Sequence, residues 1–113
     1  MQAQETLRKY FGHEAFRPGQ EVMVNALTHH RDALGVMPTG AGKSMCYQVP
    51  ALMMPGVAIV ISPLISLMAD QVAALKSAGV PAAYLNSSLT PRQMELAMQR
   101  ARQGAYKIIY VAP

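Results

Sequence analysis

Two spacings of apolar residues alternate along this chain from about residue 33 onward. Short continuous apolar runs, Ala33–Met37, Val57–Ile61, Ala82–Leu85 and Lys107–Val111, have the length and lack of alternation of buried strands. Between them, apolar residues recur at helical spacing. Leu64, Leu67, Met68, Val72 and Leu75 form one such stripe, and Met94, Ala97, Met98 and Ala101 another. A further helix is expected over Ser44–Leu52, stopping near Pro50–Pro55. Two helices precede the first strand. Thr6–Phe11 places Leu7, Tyr10 and Phe11 on one side, and the segment from Pro18 to about His30 buries Val22, Met23, Ala26 and Leu27.

The punctuation agrees with this division. Ser62-Pro63 and Thr90-Pro91 each pair a capping side chain with a proline suited to a first helical turn, and Gly12, Gly79 and Gly104 stand where helices end. Val57–Ile61 shows no polar alternation, which predicts a strand covered on both faces, as in a parallel sheet. Strand and helix alternate four times after residue 32, so the predicted fold is α/β with a parallel sheet and right-handed crossovers.

Composition narrows the class. The 113 residues suffice for one domain with a core, and a hydrophobic fraction of 51% argues against disorder. No apolar run is long enough to span a bilayer, and Met1-Gln2-Ala3-Gln4-Glu5 lacks the pattern of a signal peptide. A single cysteine, Cys46, forms no internal disulfide, fits a reducing, cytoplasmic setting and reads as a small buried hydrophobe. The nine methionines read as core filler, and adjacent His29-His30 lacks metal-ligand spacing. No Ser/His/Asp set stands out. The net charge of +4 is concentrated late: Lys76, Arg92, Arg100, Arg102 and Lys107 face only Glu95 after residue 70. That balance fits either an anionic partner such as nucleic acid or an ordinary solvated helix face.

The chemistry lies in Met37-Pro38-Thr39-Gly40-Ala41-Gly42-Lys43-Ser44, between the first strand and a helix. Strand, glycine loop, Lys-Ser and helix is the order of a phosphate-binding loop. Gly40 and Gly42 let the backbone curl against a ligand, and the N–H groups of the curl and of the following helix face a polyphosphate. Lys43 brings a compact charge to the outer phosphates, and Ser44 offers a hydroxyl to Mg²⁺. Where glycine commonly opens this motif, the chain has Met37.

Four segments together resemble the first motifs of the RecQ DNA helicases, within the superfamily 2 helicases. They are Phe16-Arg17-Pro18-Gly19-Gln20, the loop Met37–Ser44, Ser62–Gln71, and Tyr110-Val111-Ala112-Pro113. The resemblance implies a RecA-like P-loop domain and an ATP-dependent 3′-to-5′ DNA helicase acting in repair and recombination. ATP and Mg²⁺ are its implied cofactors. Single-stranded DNA at a junction with duplex is the implied partner, with a nucleoid association if the source is bacterial. By the same resemblance, Gln20 reads the adenine edge, Arg17 packs by the adenine ring, and a ring at His13 lies against the base. Thr39, Gly40, Ala41, Gly42, Lys43 and Ser44 hold the phosphates and metal, with Lys43 in the catalytic role. Ser62, Pro63 and Leu64 border the DNA path, where a helix N-terminus offers N–H groups to a backbone phosphate.

Family members carry an Asp-Glu-x-His box for Mg²⁺ and water. None of Glu5, Glu14, Glu21, Asp32, Asp70 and Glu95 follows a buried strand, and Asp70 lies inside a predicted helix. Residues 1–113 therefore read as the N-terminal part of a helicase ATP-binding domain, cut before that box, with binding but no turnover expected of the piece alone. Two other readings stay open: a different P-loop enzyme such as a small-molecule kinase, or a module that binds nucleotide or DNA without catalysis.

Overall fold

The computed structural model describes residues 2–37 and 42–113. The chain forms two compact units, divided between Pro55 and Gly56.

The first unit is helical. It contains α1 (Ala3–Phe11), α2 (Gln20–Thr28) and α3 (Lys43–Met53), and α3 packs on both α1 and α2. One buried residue from each helix, Leu7, Val24 and Val49, meets the others at 0% exposure, with Phe11, Phe16, Met45 and Met53 around them. Gly12 ends α1 in the left-handed region at φ 71° and returns its N–H to the Arg8 carbonyl, as its position predicts. Gly19, at φ 87°, turns the chain into α2, so Pro18 precedes the helix rather than opening it. The third helix runs through Pro50 and ends at Met53, within the stretch Pro50–Pro55 where the sequence places its end.

The expected strand Ala33–Met37 does not form. Residues 31–37 carry no regular structure, and Leu34 and Val36 are 91% and 92% exposed. Five apolar residues make a strand only where neighbours supply hydrogen bonds on its edges and side chains on its faces, and among the described residues none pairs with this segment.

The second unit is α/β. It comprises β1 (Ala58–Ile61), α4 (Ile65–Ser77), β2 (Ala82–Leu85), α5 (Pro91–Arg102) and β3 (Ile108–Val111). The sheet is parallel, in the order β1-β3-β2, with Ile59 opposite Ile109 and Ala83 opposite Ile109. The parallel arrangement agrees with the sequence. The double coverage of the first of these strands does not: Ile59 and Ile61 are 54% and 70% exposed. Among the described residues β1 pairs with β3 alone, and at such an edge fewer neighbours cover a strand. The core lies under the central strand, where Ile108 and Tyr110 are fully buried with Met68, Leu75 and Ala82. Asn86, 5% exposed just past β2, donates to Met68 Sδ at 3.2 Å and accepts from the Ser88 N–H at 2.8 Å, fixing the turn out of the strand.

The two expected caps fare differently. Thr90 accepts from the Gln93 N–H at 3.1 Å while Gln93 Oε1 accepts from the Thr90 N–H at 2.9 Å, a reciprocal capping box with Pro91 behind it. Ser62 caps nothing. It accepts from the Leu64 N–H at 3.1 Å, two residues on, and α4 starts only at Ile65, with no side-chain cap. A serine hydroxyl closing a local turn competes with the capping role.

The Thr90→Ala chain should lose about 1 kcal/mol of stability in urea denaturation followed at the second unit, the usual worth of such a cap. The Ser62→Ala chain should lose distinctly less.

Candidate functional site

The start of α2 and the start of α3 face each other in the first unit, and the residues that the sequence singles out converge there. His13, Ala15, Arg17, Gln20, Gly42, Ser44 and Met45 line one cavity of about 130 Å³. The two sets lie more than twenty residues apart in the chain and share no sequence pattern. The α2–α3 packing brings them together.

Gln20 ties the two sets. Its side chain is 3% exposed, and both ends of the amide are engaged. Oε1 accepts from the Arg17 N–H at 2.7 Å, and Nε2 donates to the Gly42 carbonyl at 2.9 Å. An amide carries a donor and an acceptor on separate atoms at its tip, and here each reaches backbone. A buried polar group is stable only when so paired, and no buried side-chain nitrogen or oxygen among the described residues lacks a partner.

Gly42 is required twice over. Its φ of 76° lies in the left-handed region, and a Cβ placed on it would sit 2.5 Å from Gln20 Nε2. It also serves as the N-cap of α3, and no side chain caps this helix. The 3.2 Å bond from the Met45 N–H to the Gly42 carbonyl tightens the first turn, and among the described residues no side chain caps the positive end of α3. Lys43 opens the helix and is exposed, and Ser44 lies beside the cavity. The lysine does not line that cavity. It lines a separate hollow of about 200 Å³ with Met23, Leu27, Met37 and Cys46.

The described groups suit a phosphate: an uncapped helix N-terminus at a glycine in the left-handed region, an exposed cation and a hydroxyl. Ser44 is the residue that would hold Mg²⁺. No group of three His, Cys, Asp or Glu residues gathers for a metal among the described residues. Thr39, Gly40 and Ala41, also expected to hold phosphates, lie outside the described residues. Asp70 lies inside α4, as the sequence indicates.

Cys46 is buried as expected, with Sγ 3.7 Å from Met37 Sδ. Burial raises the pKa of its thiol from the ordinary value of 9.0, against a smaller opposing backbone hydrogen bond. The thiol is therefore protonated and unreactive at neutral pH. In the second unit Ser62 is half-buried, while Pro63 and Leu64 are exposed ahead of the uncapped α4. Two cavity-lining residues, Ala15 and Met45, carried no signal in the sequence, because small and apolar residues line sites only by position. The Gln20–Gly42 bond was equally invisible there, since it depends on how α2 and α3 pack.

The Gly42→Ala chain should be less stable by about 1–3 kcal/mol, from strain and the lost Gln20 contact. Thermal unfolding of wild type and variant checks this; an unchanged midpoint would show that the close approach is absent. Alkylation of Cys46 at pH 8 should be slower in the native chain than in denaturant, and equal rates would contradict its burial.

The chain resembles known proteins over nearly its whole length. Residues 17–113 match the family model of the DEAD/DEAH box helicases. The chain is 50% identical over 112 residues to a Bacillus subtilis protein named ATP-dependent DNA helicase RecQ, covering 98% of this chain and 19% of that protein. It is 49% identical to a protein of the same name from Haemophilus influenzae, covering 98% of the chain and 18% of the relative. The likeness extends to the ATP-dependent DNA helicase Q-like 5 of Arabidopsis thaliana, at 37% identity over 95% of the chain and 12% of that protein. The chain thus spans about a fifth of the length of the bacterial relatives it matches. With the uncapped helix start at Gly42 and the paired glutamine in place, the family match over residues 17–113 shows that the chain belongs to the DEAD/DEAH box helicases, and its sequence resembles a segment of the proteins named RecQ.

Proposed function

We propose that this segment supplies the ATP grip and part of the DNA path of a RecQ-type, ATP-dependent 3′-to-5′ DNA helicase acting in repair and recombination. Residues 1–113 would be the N-terminal part of the first motor domain. The observation that carries the reading is the cavity that gathers His13, Arg17 and Gln20 with Gly42 and Ser44. A phosphate-binding loop alone needs nothing upstream of it. A site that also recognises a base needs planar and amide groups at the loop's rim, which is what this cavity has.

Bound ATP with Mg²⁺ supplies the bond whose hydrolysis drives movement along DNA. The chain's own residues bind and orient. The N–H groups at the start of α3 and the Lys43 ammonium hold negative oxygen, and the Ser44 hydroxyl offers a ligand to the cation. Lys43 is the residue with a direct electrostatic part in catalysis, and Thr39, Gly40 and Ala41 complete the cradle. Arg17 presents a planar guanidinium to the base, with the His13 ring beside it. Gln20 trades its bond to Gly42 for the adenine edge, so base recognition and the set of the loop are one event. Ser62, Pro63 and Leu64 border single-stranded DNA near its junction with duplex. The residues that hold water for attack are not among the carboxylates present, so this piece binds nucleotide without helicase-rate turnover. The setting is the cytoplasm, at the nucleoid in a bacterium.

Equilibrium titration with fluorescent nucleotide analogues tests the site. The Lys43→Ala chain should bind the ATP analogue about 10- to 100-fold more weakly, the worth of a charged contact to phosphate. The Gln20→Ala chain should lose its preference for ATP over GTP. Unchanged preference in that variant would remove the adenine role. The chain should also bind single-stranded DNA weakly at low salt and release it as salt rises.

A further inference from the structure

The Gly56–Pro113 unit has a second groove that the nucleotide site leaves unused. It measures about 290 Å³ and takes its lining from α4, β2 and α5. Ala83 and Tyr84, consecutive residues of β2, both line it. Consecutive strand residues point to opposite faces, so a hollow that reaches both opens on the strand's edge. That edge is the outer one: β2 pairs with β3 and, among the described residues, with nothing on its other side.

Two chemistries meet there. The floor is apolar, built by Val72, Leu89, Leu96 and Ala97. The rim carries Lys76 from α4 and Arg100 from α5, and neither is in an ion pair among the described residues. The whole unit is biased the same way, with Lys76, Arg92, Arg100, Arg102 and Lys107 against Asp70 and Glu95.

We propose that this groove docks a short extended peptide of a protein partner, with apolar side chains flanked by aspartate or glutamate. The strand edge offers backbone donors and acceptors to an added strand, the floor takes alternate side chains, and the two cations meet the acidic flanks. Nucleic acid fits less well. Single strands are held on stacked aromatic platforms, and Tyr84 is the one ring in this lining.

The test uses the 113-residue chain and a fluorescein-labelled eight-residue peptide that alternates leucine with aspartate, read by anisotropy. Saturable binding is expected, weakened at least about tenfold in the Lys76→Glu/Arg100→Glu chain, since two charged contacts are each worth more than the 1.4 kcal/mol of one decade. Peptides with serine for leucine, or lysine for aspartate, should bind at least as much more weakly. Both substitutions are at exposed positions, and circular dichroism of the variant confirms its fold. Failure of the acidic peptide to bind at millimolar concentration would overturn the proposal. So would equal affinity for the serine peptide, or displacement by an oligonucleotide of equal charge with the same sensitivity to the double substitution. The groove lies apart from Lys43 and Gln20 in the chain, so nucleotide binding by the double variant stays at the wild-type level.

Discussion

The Gln20 side chain is the contact on which the candidate site depends. One amide joins the backbone of Arg17 to the backbone of Gly42, and so joins the start of α2 to the start of α3. Each bond is modest in net energy, about 1 kcal/mol, but the amide is buried and either bond left unmade costs more than it contributes. The constraint also runs the other way. Only a residue without a Cβ leaves room for Nε2 at Gly42, so the glycine and the glutamine require each other.

A base-reading role for such a group has a physical consequence. An amide that already spends its donor and acceptor within the protein can meet a ligand only by exchange. The ligand must offer a donor and an acceptor at matching spacing, as an adenine edge does, or the exchange costs more than it returns. Selectivity then comes from the internal bonds that a wrong base fails to replace, not from attraction alone.

Much of this was legible in the sequence, and the reasons differ by element. The helices with strong periodic stripes, α4 and α5, and the parallel sheet followed from spacing, because packing against a sheet demands it. The Thr90–Gln93 box was legible because capping is local. The glycine loop pointed to a phosphate site from residue types alone, and residues 38–41 of it lie outside the described residues. What failed depends on neighbours. Among the described residues, Ala33–Met37 has strand composition without a strand partner, and β1 has a buried strand's composition at an edge. Ser62 could cap a helix or close a turn, and local competition decided for the turn. The convergence of His13, Arg17 and Gln20 on Gly42 is a tertiary fact, and the chain order alone gave no distance.

On the proposed reading, base recognition and phosphate grip share one bonded unit. Amide-resolved NMR of the ¹⁵N-labelled chain tests it most directly, titrating ATP and separately inorganic triphosphate. With ATP, the Gln20 side-chain amide and the backbone amides of Gly42, Lys43 and Ser44 should shift together along one saturation curve. Triphosphate should move the three backbone signals with little change at the Gln20 side chain. ATP shifts that leave the Gln20 amide unmoved, or that spare Gly42 to Ser44, would contradict the account.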